Sequence, residues 1–128
     1  MLEAERAGAK ALVVFMDEHE HQGEAWKVLR RVQADEAHNC ALIGKLLDRA
    51  GVPHSHATGE FYAKAIAMKG PRPRIEFLLR GLGWAVREFD QAMPRIDDPD
   101  TRDTLARMRA SHARSIEACA AVARTLGV

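Results

Sequence analysis

The feature that most constrains the fold is an acid in the middle of an apolar helical stripe. Between residues 24 and 50, hydrophobic side chains recur every three or four positions, which predicts an amphipathic α-helix. The stripe consists of Trp26, Leu29, Val32, Ile43 and Leu47. Glu36 falls near the centre of the same face. A buried carboxylate must be neutral, paired or metal-bound, because an isolated buried charge is very unfavourable. The sequence therefore predicts a polar site inside a helical core.

The rest of the chain predicts three further long helices and one short helix. We expect the first long helix from Leu2 to about His21, the second at 24–50, the third from Arg74 to about Met93 and the fourth from Pro99 to about Leu126, with a short helix at 60–69. Gly23 and Gly51 mark helix boundaries, Gly70 to Pro73 marks a break, and Asp98 is a typical N-cap. Two antiparallel helical hairpins joined by a long crossover are the ferritin-like form of the four-helix bundle. We therefore predict an all-α protein in which residues 1–128 form one domain.

Composition argues against several classes of function. Lys and Arg together number 19 and Asp and Glu 18, so there is no net field to attract nucleic acid or an anionic membrane. No apolar run approaches the roughly 20 residues that a membrane-spanning helix needs. We expect a soluble cytoplasmic protein with neither a nucleic-acid partner nor a membrane partner.

The last predicted helix carries a second polar residue on its apolar face. His112 lies at the centre of the stripe formed by Leu105, Met108, Ile116, Cys119, Ala123 and Leu126. Glu5 lies on the stripe of the first helix, which is expected to consist of Leu2, Ala9, Leu12, Met16 and His19. At a rise of about 1.5 Å per residue, Glu5, Glu36 and His112 are expected within roughly 5 Å of one another along the bundle. Two carboxylates and an imidazole suit one iron, manganese or zinc ion, and no organic cofactor is predicted.

Two interpretations of this layer remain open. In the first, Glu5, Glu36 and His112 bind at most one metal ion, with a redox or hydrolytic reaction that the sequence does not specify. Three nearby residues are expected to surround the ligands: Arg109, Asn39 and Cys40. In the second, the chain is a metal-free, non-catalytic bundle that acts as a dimeric structural or interaction protein. Arg109 would then neutralise the buried acids through a bidentate contact.

Several segments carry a family resemblance: LEAERAGA at 2–9, DEAHNC at 35–40, TGEFY at 58–62, RGLGW at 80–84, and the last helix with His112 and Cys119. Together they resemble a small, functionally uncharacterised bacterial family with the ferritin-like, rubrerythrin-like fold. The wider superfamily builds a two-metal centre from one Glu on each of two helices and a Glu-x-x-His on each of the other two. Here the motifs are Glu36-x-x-Asn39 and Arg109-x-x-His112. The third helix offers Leu82, Val86 and Phe89 at the matching height. Half of the ligand set is missing, so a working two-metal centre is not expected.

Glycines and aromatic residues suggest further contacts. Gly81 and Gly83 have no side chain on the third helix, which indicates close packing of a neighbouring helix. Trp84, Phe61 and Tyr62 are candidate contacts with a second subunit, because amphipathic aromatic side chains are common at interfaces. We expect a homodimer.

Overall fold

The computed structural model describes residues 2–51 and 59–126, and within these ranges every regular element is helical. The α-helices follow in the order α1 Leu2–Met16, α2 Glu24–Arg49, α3 Gly59–Ala67, α4 Pro71–Ala92 and α5 Pro99–Thr125. A short 3₁₀ helix, Met93–Arg95, follows α4. The prediction of an all-α chain is confirmed over the described residues.

Several predicted helix boundaries are confirmed by backbone geometry. Helix α2 begins directly after Gly23 and ends just before Gly51, whose φ of +70° is in the left-handed region that favours glycine. Asp98 caps α5, since its carboxylate accepts a hydrogen bond of 3.0 Å from the backbone N–H of Thr101. Pro99 occupies the first turn, where a missing N–H costs no hydrogen bond.

Two boundaries differ from prediction. Helix α1 ends at Met16 rather than near His21, because the polar segment after it forms turns, with Gln22 at a φ of +66°. Helix α4 begins at Pro71, three residues before the predicted start, because prolines fit the first helical turn. The predicted break is therefore confined to Gly70, whose φ is +89°. Residues 52–58 of the predicted connector lie outside the described residues.

The four long helices pack in the order α1, α2, α5, α4 around a shared interior, and α3 covers α1 and α4. Two apolar clusters fill this interior. One contains Leu12, Phe15, Leu29, Val32, Leu78, Cys119 and Val122 with their neighbours. The other contains Leu2, Ile43, Ala85, Phe89, Leu105 and Met108. On α1, α2 and α5 alike, the polar residues Glu5, Glu36 and His112 lie between the two clusters. The interior therefore has a polar layer between two apolar layers.

None of the helices in the described part of the chain combines the length and the apolar character that crossing a membrane requires.

Candidate metal site

The polar layer brings together the three residues that the sequence predicted as ligands. Glu5 is 2% exposed, Glu36 4% and His112 1%, so all three side chains are withdrawn from water. One potential ligand atom from each lies within 4.8 Å of the other two. His112 Nε2 is 2.7 Å from Glu5 Oε1 and 3.5 Å from Glu36 Oε1. Of the described residues, only these form a group of three or more that could hold an ion.

The imidazole of His112 is fixed by two neighbours. Its Nδ1 lies 2.8 Å from the carbonyl oxygen of Met108, one turn earlier on α5. Because a carbonyl only accepts, Nδ1 must carry the hydrogen and donate it. The ring of Phe89 packs edge-on against the imidazole, with centroids 5.2 Å apart. Nε2 therefore faces the two acids, which is the orientation that metal-binding histidines adopt when a carbonyl holds the other nitrogen.

The carboxyl group of Glu5 lacks hydrogen-bond donors among the described residues. Both oxygens of Glu5 are buried, and no well-aligned hydrogen bond reaches either of them from the described residues, although Oε1 is close to the imidazole. Burial raises the pKa of the Glu5 carboxyl. Burial also raises the pKa of the Glu36 carboxyl well above its usual range, and the adjacent Glu5 raises it further. Both acids can therefore be ionised in this layer only if a cation lies close to them. Otherwise at least one of them holds a proton.

Gly8 leaves room on α1 for the side chain of Glu36. A Cβ atom at Gly8 would lie 2.9 Å from Glu36 Oε2, which is closer than carbon and oxygen pack in folded proteins. Gly8 is three residues after Glu5 and therefore on the same side of α1. Gly8 was not among the residues predicted from the sequence. Its spacing from Glu5 was the available signal, but that spacing places Gly8 on a face of α1 without indicating which side chain approaches it.

A small cavity adjoins the three side chains. Its volume is about 20 Å³, which is room for about one water molecule. Its other lining residues are mainly apolar and include Phe61, Leu78, Leu82 and Ala85. Phe61 from α3 lies over Gly81 of α4, and any Cβ at Gly81 would overlap its ring. The predicted close packing is confirmed at Gly81, where the Phe61 ring also borders the cavity. It is wrong at Gly83, where an added Cβ would meet only Arg87 of the same helix, at 3.5 Å.

The geometry suits a metal ion of ordinary size. Two atoms bound at about 2.1 Å to one ion lie roughly 3.0 to 3.4 Å apart in tetrahedral or octahedral coordination. The 3.5 Å between His112 Nε2 and Glu36 Oε1 is close to that range. The 2.7 Å between His112 Nε2 and Glu5 Oε1 is shorter. A small rotation of the Glu5 carboxyl group would lengthen the shorter contact towards that range.

Arg109 is not part of the cluster, which corrects the expectation that it neutralises the buried acids. Its guanidinium forms an exposed ion pair with Asp90 of α4, with Nη2 3.2 Å from Oδ2. Arg109 precedes His112 by three residues and so is displaced by about 60° around α5. From that position the guanidinium pairs with Asp90 near water and avoids the desolvation that the interior would impose.

Asn39 and Cys40 follow Glu36 by about one turn of α2 but have different surroundings. Asn39 is 3% exposed and lines a separate groove between α2 and α5. Cys40 is half-buried, and burial raises the pKa of its thiol while nearby Arg6 partly opposes that change. Burial raises the pKa of Cys119 to about 12, so that thiol stays protonated at neutral pH. The proposed influence of Asn39 and Cys40 on a bound metal stays a prediction.

The fold and the cluster define an all-helical protein with a buried Glu–Glu–His layer. The chain belongs to the family DUF6306, described as a domain of unknown function, whose profile matches residues 1–121. Searches among curated proteins and among solved structures gave no significant match. Membership of this family assigns no reaction, so a function has to be argued from the polar layer.

Proposed function

We propose that this chain is a ferritin-like four-helix bundle that binds one divalent transition-metal ion through Glu5, Glu36 and His112. The observation that supports the proposal most directly is the burial of two adjacent carboxyl groups, one of which, Glu5, has no hydrogen-bond partner for either oxygen among the described residues. A folded protein rarely retains such groups unless a positive charge compensates for them. A metal ion coordinated by both carboxylates and by Nε2 of the imidazole supplies that charge.

Charge balance favours one ion over two. A single divalent cation with two carboxylates and a neutral imidazole gives a layer of zero net charge. A second divalent cation would leave two uncompensated positive charges in the interior, which is strongly unfavourable. Helix α4 offers no further acid here, since its buried positions are Ile75, Leu78, Leu82, Ala85 and Phe89. The oxygen and imidazole ligands suit iron, manganese or zinc.

A mononuclear site would keep one position open to a small molecule. Three protein ligands leave at least one coordination position unfilled for each of these metals. The cavity of about 20 Å³ beside the ligands accommodates about one water molecule. A metal in such a site supplies Lewis acidity, and the three side chains hold the ion while the apolar wall excludes bulk water. The reaction that this chemistry serves stays open.

The second candidate is a metal-free structural protein in which protons replace the ion. The 2.7 Å approach of His112 Nε2 to Glu5 favours this alternative, because a protonated imidazole and a carboxylate attract each other. One proton shared by Glu5 and Glu36, together with one on the imidazole, also makes the layer neutral. The bundle would then act through its surface, where Trp84 is 39% exposed and is a candidate contact in a homodimer.

Metal analysis distinguishes the two candidates. We expect protein purified without a His tag to contain one tightly bound ion per chain, and His112→Gln to lose it while staying folded. The control is Glu117→Gln, an exposed acid on α5, which should retain the metal. Metal below one equivalent that His112→Gln leaves unchanged would support the metal-free candidate. Sedimentation velocity on the same samples tests the homodimer.

A further inference from the structure

A second polar site lies in the groove between α2 and α5. The groove has a volume of about 430 Å³, which is within the range of small-molecule sites. Seven polar residues line it: Asp35, His38 and Asn39 from α2, and Thr104, Arg107, Ser111 and Arg114 from α5. None of the three clustered ligand residues lines it. This groove is therefore distinct from the candidate metal site.

The floor of the groove contains a buried donor without an acceptor. Asn39 is 3% exposed, and its side-chain Nδ2 forms no hydrogen bond with the described part of the chain. An amide NH₂ group only donates, so the partner it lacks must carry an acceptor oxygen or nitrogen. Ser111, 8% exposed on the facing helix, offers a hydroxyl in the same groove. A ligand that accepts hydrogen bonds would satisfy the Asn39 amide, and the Ser111 hydroxyl is a second donor in the same groove.

The rim of the groove favours a negatively charged ligand. Arg107 and Arg114 lie two turns apart on α5, about 10 Å along the helix axis, with Ser111 between them. Arg107 pairs with Asp103 on its own helix, but their side chains are 75% and 65% exposed, so water weakens that attraction. Asp35 is the one acid among the described lining residues. Guanidinium groups with a buried amide and a hydroxyl form a donor set suited to an oxyanion.

We propose that this groove binds a small molecule through its carboxylate or phosphate group, with Asn39 and Ser111 as donors at the floor and Arg107 and Arg114 at the rim. The proposal goes beyond the metal site and does not depend on it. The oxyanion accepts hydrogen bonds from the Asn39 amide and the Ser111 hydroxyl. Its charge is balanced by the two arginines, which face water when the groove is empty.

The test uses the single asparagine of the chain as its reporter. Protein labelled with ¹⁵N only in asparagine gives side-chain amide signals from Asn39 alone. Protein freed of metal and then desalted is titrated with inorganic phosphate, with succinate, and with chloride at matched ionic strength. We expect phosphate or succinate, but not chloride, to shift the Asn39 side-chain signal to saturation. The lower midpoint identifies the group that the site prefers.

Two variants separate a defined site from general attraction to a basic surface. Arg114→Ala should raise the midpoint at least about tenfold, because it removes a charge-assisted hydrogen bond. Arg124→Ala, an exposed arginine on α5 outside the groove, should leave the midpoint unchanged. The proposal is overturned if no anion produces a saturable shift, or if Arg114→Ala binds as the unmodified chain does. Because the protein is free of metal, neither result depends on the outcome at Glu5, Glu36 and His112.

Discussion

Replacement of Gly8 by alanine tests the geometry of the polar layer most directly. The new methyl group would lie 2.9 Å from Glu36 Oε2, so the carboxyl group must move by several tenths of an ångström or α1 must shift. Overpacking of this kind costs about 1 to 3 kcal/mol, while exchanging glycine for alanine in a helix gains up to about 1 kcal/mol. We therefore expect Gly8→Ala to lower the free energy of unfolding by roughly 0 to 2.5 kcal/mol. A displaced Glu36 should also weaken metal binding by about tenfold or more.

Gly83→Ala is the matched control. A Cβ at Gly83 would lie 3.5 Å from Nη1 of Arg87, an ordinary van der Waals contact. Only the gain in helix propensity remains, so this variant should be more stable by about 0.5 to 1 kcal/mol and should bind metal normally. Urea denaturation followed by circular dichroism gives the stabilities, and calorimetric titration with zinc gives the affinities. If Gly8→Ala matches Gly83→Ala in both, the proposed contact between Gly8 and Glu36 is wrong.

Three further predictions follow from the same contacts. In metal-free protein, burial raises the pKa values of Glu5 and Glu36 above the ordinary value of 4.5 that applies to the unfolded chain. Their contribution to the free energy of unfolding is therefore full below about pH 4.5 and is lost as pH rises through the folded-state pKa values. The urea midpoint should therefore fall with rising pH. Glu36→Gln should reduce this fall and Glu117→Gln should leave it unchanged. An equal fall in both variants would contradict the assignment of a raised pKa to Glu36. Arg109→Ala removes only an exposed ion pair and should leave the urea midpoint and the zinc affinity unchanged. A clear loss of either would show that Arg109 does neutralise the buried acids. Phe61→Ala opens the cavity and should speed the removal of bound cobalt by a chelator in stopped-flow measurements, and Tyr62→Ala is the control. Equal rates in the two variants would show that the ion does not leave past Phe61.

The three candidate ligands were predictable because each is a polar exception on an apolar stripe. Glu36 and His112 are central on long helices whose ends are marked by Gly23, Gly51 and Asp98, so both their face and their height followed from counting residues. Burial of all three side chains and the short distances between them agree with that count. Whether they bind a metal is not something that helical periodicity can decide.

The buried face of α1 was predicted less well. The expected stripe of Leu2, Ala9, Leu12, Met16 and His19 contains several half-buried residues, whereas the buried residues of α1 include Ala7, Ala11 and Phe15. An alanine-rich helix has small apolar residues on most sides, so its own pattern defines the buried face weakly. The neighbouring helices decide its rotation instead, and a sequence pattern contains no direct information about them.

Arg109 shows a different limit of sequence reasoning. A long side chain at the edge of a buried face can reach inward to the acids or outward to solvent, and helical periodicity allows both. The deciding contact is with Asp90, which is nineteen positions away and becomes a neighbour only when α4 and α5 pack together. The exposed pair avoids the desolvation of a buried guanidinium, so the outward position is favoured.

Without Arg109, protons and a metal ion are two ways to neutralise the layer, and they compete for the same atoms. Coordination of a divalent ion by Glu5 and Glu36 requires both carboxyl groups to be ionised, and coordination by His112 requires an unprotonated Nε2. The same burial that raises the carboxyl pKa values therefore weakens metal binding at low pH. Above those pKa values the protons leave, and the uncompensated acids make a bound cation increasingly favourable. The raised pKa values and the candidate metal site thus have one physical cause, which is two acids held close together in a buried interior.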